Sequence, residues 1–254
     1  MTLPILYCGD TDLTGAAGYL AGLLTHFALG YEYVPSHVPL SREQVEQPRS
    51  LFVFSDYPAL QVADELQRPI VEQVRAGAGL LMIGGWESFH GLGGDWDITE
   101  IARILPVQMS RSDDRVNFDQ PALLCPYEWR EEPWGLPWFR RPPTIGGMNR
   151  VTVRPEGTEV LVVRPFSARW NEEVEILEWH PQPETLPALV TGQFGLGRTA
   201  AFLPDVAPHW VGGFVDWGDA RVTAQAPGAG AIEVGNWYAE FWRQLVGWTM
   251  AGER

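Results

Sequence analysis

The 254-residue sequence predicts an α/β protein built on an open, mainly parallel sheet with helices on both faces. Three observations carry this reading. Short apolar runs recur near residues 3, 51 and 80, as strands buried on both faces do. Each run empties into a turn rich in Gly, Asp or Ser. Segments with helical spacing separate the runs, which is the pattern of right-handed strand–helix–strand crossovers.

Residues 3–7 (LPILY) read as a first strand ending in the turn CGDTD. Residues 15–29 place Ala17, Leu20, Leu23, Leu24, Phe27 and Ala28 on one helical face, with Gly30 as the stop. Residues 31–34 form a second strand, and Ser41 with Gln44 suits a capping box that opens a short helix. Residues 51–54 (LFVF) give a third strand, followed by SDYPA. Residues 60–76 are helical by the spacing of Leu60, Ala63, Leu66, Ile70 and Val74, with a kink expected at Pro69. Residues 80–83 (LLMI) are the fourth strand, ending in GGWESFHG.

From about residue 107 to 192 the pattern changes. Pro and Trp accumulate, as in PYEWREEPWGLPWFRRPP at 126–143, and short strands are expected at 150–153 and 160–163 around the turn PEG. This region reads as a β-rich insertion or an elaborated edge of the same sheet. Residues 188–194 and 199–203 then pair around GLGR. Asn236 is expected to cap a last helix running to residue 251, with Trp237, Phe241, Leu245 and Trp248 inward. No internal repeat and no long polar linker divides the chain, so one domain over 1–254 is expected.

Composition excludes several function classes. The net charge is −14, from 32 acidic and 18 basic residues, and a field of that sign repels polyphosphate, which argues against nucleic-acid and anionic-membrane partners. All 18 basic residues are Arg; without Lys there is no Schiff-base, pyridoxal-phosphate or P-loop chemistry. No run reaches the roughly 20 apolar residues of a membrane helix, and the first ten residues lack a signal-peptide pattern. Two cysteines, Cys8 and Cys125, make neither a disulfide framework nor a structural zinc cluster, so a reduced, cytoplasmic setting is the expectation. No cofactor is implied.

In an open parallel sheet the ligand site lies beyond the carboxyl ends of the strands. That rule gathers Asp10 and Asp12 from the first strand, Ser55, Asp56 and Tyr57 from the third, and Trp86, Glu87, Ser88 and His90 from the fourth; Asp205, His209 and Trp210 follow the late strand AAFLP. Acids and imidazoles of this kind suit a metal or a hydroxyl-rich ligand. The plainer alternative is that Asp10, Asp56 and Asp205 cap the helices that follow them. The glycines at 84, 85, 91, 93 and 94 lack the GxGxxG context of a phosphate loop and read better as tight turns.

The segments LLMIGGWESFHGLGG, GLGRTAAFLPD and DVAPHW…FVDW…FWRQLVGW resemble the class I glutamine amidotransferase-like superfamily, with trehalose-utilisation-type proteins as more distant relatives. The resemblance spans nearly the whole chain and implies a flavodoxin-like fold. A working glutaminase of that superfamily has a Cys on a sharp turn within G-x-C-x-G and a late His-Pro-Glu. Here the matching turn falls at Gly84 or Gly85, Leu203 stands where the His belongs, and Asp205 stands where the acid belongs. Cys8 and Cys125 lie elsewhere in the sequence, with no His beside them.

The expectation is therefore a protein without glutaminase activity that binds a small polar ligand or a protein partner at the former active-site rim. Asp10, Asp12, Asp56, Tyr57, Gly84, Gly85, Trp86 and Trp210 are the candidate ligand contacts. Two alternatives stand beside it. Trp129, Trp134 and Trp138 could serve an interaction module if exposed, although large rings are more often buried. Or Glu87, His90, Asp205 and His209 could run a carboxylate/His hydrolase or isomerase, with or without a metal, on a sugar-like substrate. Pro208 makes a loop the expected setting for Asp205 and His209. Members of this superfamily often associate, so a homo-oligomer is expected.

Overall fold

The computed structural model describes residues 4–128 and 132–250. The first half alternates as its periodicity dictates: β1 (Ile5–Gly9), α1 (Ala17–His26), β2 (Tyr31–Pro35), α2 (Arg42–Glu46), β3 (Leu51–Ser55), α3 (Asp64–Arg75), β4 (Gly79–Ile83) and α4 (Glu100–Arg103). β1, β3 and β4 are buried at every position, which is why their sequences are apolar throughout rather than alternating. The Ser41–Gln44 capping box forms as read. Pro69 sits inside α3, and Leu60, expected inward, is exposed in a separate short turn ahead of that helix.

The second half supplies β5 (Val107–Met109), β6 (Arg115–Pro126), β7 (Thr144–Asn149), β8 (Val151–Val153), β9 (Thr158–Arg164), β10 (Phe166–Asn171), β11 (Ile176–Pro181), β12 (Leu186–Phe194) and β13 (Gly197–Phe202). α5 (Pro208–Val215), β14 (Arg221–Gln225), β15 (Ala231–Gly235) and α6 (Asn236–Met250) complete the chain.

One nine-stranded sheet runs through both halves in the order β2-β1-β3-β4-β13-β12-β9-β6-β7. β2, β1, β3, β4 and β13 are mutually parallel; from β12 outward each pairing is antiparallel. The β-rich segment is thus the elaborated edge of the same sheet. β8 pairs with β5 rather than with β9, so the PEG turn joins two strands of different sheets. α1 and α6 pack together, while α3 meets α2 and α4 in a second helical group.

The order of the parallel strands reverses between β1 and β3, and their carboxyl ends flank a crevice. The antiparallel edge returns to the same place. β6 and β7 slip register between Asn117 and Ala122, an irregularity that bends strands. At the end of β7 the Asn149 amide donates to the Leu203 carbonyl beyond β13 (3.0 Å). The far edge therefore curls over the carboxyl ends of the parallel half.

Burial decides the fate of the tryptophans. Trp138 is fully buried, 4.4 Å from Trp217 between ring centroids and packed on Phe214 and Phe241; Trp134 is partly buried against Phe241. Trp129 lies outside the described residues. In α6 the inward face is carried by Tyr238, Phe241, Trp242 and Leu245, with Trp237 and Trp248 only partly covered. Asn236 does different work from the cap expected of it: its Oδ1 accepts the Asp219 and Ala220 amides (3.0 and 3.1 Å) and fixes the start of the β14–β15 hairpin. No helix among the described residues is long and apolar enough to cross a membrane.

Because Trp138 knits α5, α6 and the 133–138 segment, Trp138→Ala is expected to cost about 3–5 kcal/mol. Denaturant unfolding followed by far-UV circular dichroism measures it.

Candidate functional site

At the carboxyl end of β4 the backbone turns sharply at Gly84 and Gly85, and both glycines are required there. A Cβ on Gly84 would overlap the Leu203 carbonyl, and one on Gly85 would overlap the carboxylate of Asp56. Asp56 follows β3 with φ +48°, a left-handed conformation that non-glycine residues adopt only when their surroundings enforce it. Its amide donates to Ser88 Oγ (2.9 Å), and its Oδ1 accepts the Glu87 amide (2.8 Å).

Both glycine amides of this turn are committed. Gly84 N–H donates to the Phe202 and Pro204 carbonyls (2.7 and 3.0 Å), and Gly85 N–H donates to Asn149 Oδ1 (2.8 Å). Asn149 is completely buried, and its Nδ2 donates to Asp114 Oδ1 (2.8 Å). Asp114 also accepts the amides of His90 and Gly91, both at 3.1 Å. Burial raises the Asp114 carboxyl above its ordinary range, opposed by the Asn149 hydrogen bond. Asn149 and Asp114 thus clamp the whole 84–91 loop. Sequence reasoning missed both, because they sit in the β-rich edge, whose pairing partners no local pattern reveals.

Across the crevice, Asp205 follows β13 with its side chain 1% exposed. Its Oδ1 accepts the Val206 and Ala207 amides (2.5 and 3.2 Å). Its Oδ2 lies 2.6 Å from His209 Nε2. Asp205 itself lies in the expected loop, whereas His209 falls in the first turn of α5, which Pro208 opens: the fixed φ and missing N–H of proline suit a first helical turn. The turn brings the half-exposed His209 ring back onto Asp205.

Asp10, Asp56, Trp86, Glu87, Leu92 and His209 line a cleft of about 380 Å³ above these groups. Trp86 is 50% exposed, with the Arg115 guanidinium 4.4 Å over its ring. Burial and then the Asp205 charge push the Asp56 carboxyl up to about 8. Burial and Asp10 raise Glu87. The adjacent Asp205 carboxylate raises His209.

The capping alternative for the three aspartates does not describe them. Residues without a side-chain cap, Ala16, Pro58 and Ala207, precede the helical turns that follow β1, β3 and β13. Four other sequence candidates lie apart from the cleft. Tyr57 is core: its hydroxyl donates to the Val38 carbonyl (2.7 Å), and its carbonyl receives Trp96 Nε1. Trp210 is also buried, with Nε1 on Asn117 Oδ1 (3.0 Å) and its ring against Gly147. Asp12 is exposed and folds its own turn by accepting the Thr14 and Gly15 amides. His90 turns to Asp97, with Nδ1 2.8 Å from Oδ1.

The thiols take no part in this cleft. Both are buried; burial raises Cys8 far above the ordinary thiol range and pushes Cys125 up to about 11. No cysteine occurs between Gly84 and Ser88, and Leu203 is buried.

Asn149→Ala is expected to cost about 1–3 kcal/mol, since it strands the buried Gly85 N–H and removes one of the two donors on Asp114 Oδ1. Gly85→Ala is expected to cost a similar amount, about 1–3 kcal/mol, by overpacking against Asp56. Thermal and denaturant unfolding of the two variants check both values.

Comparison with known proteins agrees with this architecture. Residues 49–225 match the sequence model of the family described as "Putative glutamine amidotransferase". Two solved structures, both cytoplasmic proteins of Salmonella typhimurium, superpose over nearly the full length. One has a TM-score of 0.70 at 21% identity, covering 99% of this chain and 100% of its own. The other has a TM-score of 0.71 at 22% identity, covering 97% and 99%. At such identity the likeness is one of fold. Among curated proteins none matches the sequence.

Proposed function

The chain belongs to the glutamine amidotransferase-like family of that description, and from this premise we propose that it is a member without thiol-dependent glutaminase chemistry, which binds a small polar ligand in the cleft between Asp10, Asp56, Glu87 and His209. The carrying observation is the turn after β4. Acyl transfer through a thioester needs a sulfur on that turn and free amides to hold the oxyanion. Here the space beside Gly85 holds the Asp56 carboxylate, and the amides of Gly84, Gly85 and Glu87 already have acceptors.

What the cleft offers is acceptors and one aromatic platform. Asp10 and Glu87 can receive hydroxyl or ammonium donors, His209 can donate or accept, and the half-exposed Trp86 ring can pack against a sugar ring. A polyhydroxylated or amino-bearing small molecule fits this set better than an anion, which the acids repel. Cytoplasmic residence accords with the two similar Salmonella proteins and with the two free, buried thiols.

A second reading has its own support in the Asp205–His209 pair, a carboxylate set 2.6 Å from an imidazole at the mouth of the cleft. Such a pair suits proton transfer in a hydrolase or isomerase acting on a sugar-like substrate. His90, engaged with Asp97, has no part in it.

Thermal-shift titration with monosaccharides, polyols and amino acids tests the binding reading. At least one class is expected to raise the melting temperature of the wild type, and Glu87→Gln with Trp86→Ala is expected to abolish the rise; indifference to every class overturns the reading. Ammonia release from glutamine is expected to be absent in the wild type and in Gly85→Cys. Release that Cys8→Ser or Cys125→Ser removes would restore a thiol mechanism.

A further inference from the structure

We propose that Asp56, Asp205 and His209 form a site for one divalent first-row transition-metal cation, such as Mn²⁺ or Zn²⁺. One ligand atom from each lies within 4.8 Å of the other two. Donors around such a cation at about 2.0–2.2 Å stand roughly 3–4.4 Å apart, so Asp205 Oδ2 and His209 Nε2, now 2.6 Å apart, would part slightly by side-chain rotation to admit an ion.

An independent observation at Asp205 points to a ligand. Its Oδ2 is buried and receives no hydrogen bond, although His209 Nε2 stands only 2.6 Å away. The two atoms are in ion-pair range, yet no N–H is aligned for donation to that oxygen. A buried carboxylate oxygen left in this way is costly unless something else engages it.

The rest of the surroundings acts as an orienting shell. Asp205 spends its other oxygen on the Val206 and Ala207 amides, and Asp56 spends Oδ1 on the Glu87 amide, which fixes the orientation of both carboxylates. The bare Gly85 gives the Asp56 carboxylate its place. The mixed oxygen and imidazole donors favour Mn²⁺ or Zn²⁺ over Ca²⁺ and Mg²⁺, which prefer oxygen alone. With three protein ligands and Asp10 and Glu87 nearby, coordination positions stay open toward the cleft, as in catalytic rather than structural sites.

The inference deepens the reading of this cleft as the working site, yet its test is separate, because metal uptake is read without any organic ligand. The full chain is stripped with chelator, dialysed and titrated with Mn²⁺ and with Zn²⁺ by calorimetry, with bound metal counted by mass spectrometry. One equivalent of one of these ions per chain is expected. His209→Ala, a change at a half-exposed side chain that leaves the core intact, and Asp205→Asn are each expected to weaken it at least about tenfold, the loss that even outer-shell partners can cause. Asp97→Asn, in the separate His90–Asp95–Asp97 cluster, is expected to leave affinity unchanged. Absence of stoichiometric uptake overturns the site. So does uptake that survives His209→Ala or disappears in Asp97→Asn. Metal uptake without any thermal shift from sugars or amino acids would keep the metal site and remove the ligand reading.

Discussion

The turn after β4 has room for no side chain, and the rest of the site follows from that constraint. Gly84 is pressed against the Leu203 carbonyl and Gly85 against Asp56. A side chain at either glycine would push β13 or Asp56 outward, so the turn and the acids beyond it define one another. At this turn the chain has a carboxylate lying across bare backbone, and the amides of Gly84, Gly85 and Glu87 are already taken by protein acceptors.

That arrangement depends on the antiparallel half of the sheet. A parallel α/β core presents its loops at the carboxyl edge but does not by itself hold them still. β6 and β7 reach back to do so: the bend between Asn117 and Ala122 lets Asn149 arrive beneath the 84–91 loop, and Asp114 gathers two amides from the same loop. α5 packs on β7, with Trp210 against Gly147 and Gly213 against Thr144, so the helix that carries His209 is braced by the same edge. The β-rich segment is therefore scaffold for the cleft rather than an appendage to it.

The parallel half was legible because its code is local. Four apolar runs, helical spacing between them and polar turns after them sufficed to place Asp10, Asp56, Glu87 and Asp205 at one edge. What stayed hidden was encoded between distant residues. Tyr57 and Trp210 neighbour the rim in sequence, yet each finds a hydrogen-bond acceptor away from the cleft and its side chain joins the core. His90 is two residues beyond Ser88, and a left-handed Phe89 between them carries it to Asp97. Asn149 and Asp114 carry no motif; an Asn ending a strand becomes a clamp only once the sheet has curled. Pro208 was ambiguous in principle, since the property that breaks a helix interior also begins a helix.

A chain of net charge −14 without lysine has few cations to place, and several of its arginines are committed elsewhere, Arg49 to Glu32 and Arg115 to Asp113 and the Trp86 ring. Burial and the neighbouring Asp205 charge nonetheless raise the Asp56 carboxyl, the mark of crowded and poorly solvated acids. Among the residues that line the cleft His209 is the one basic group, half-exposed and 2.6 Å from Asp205 Oδ2. A cation bound as proposed would engage that oxygen, the imidazole and Asp56 together.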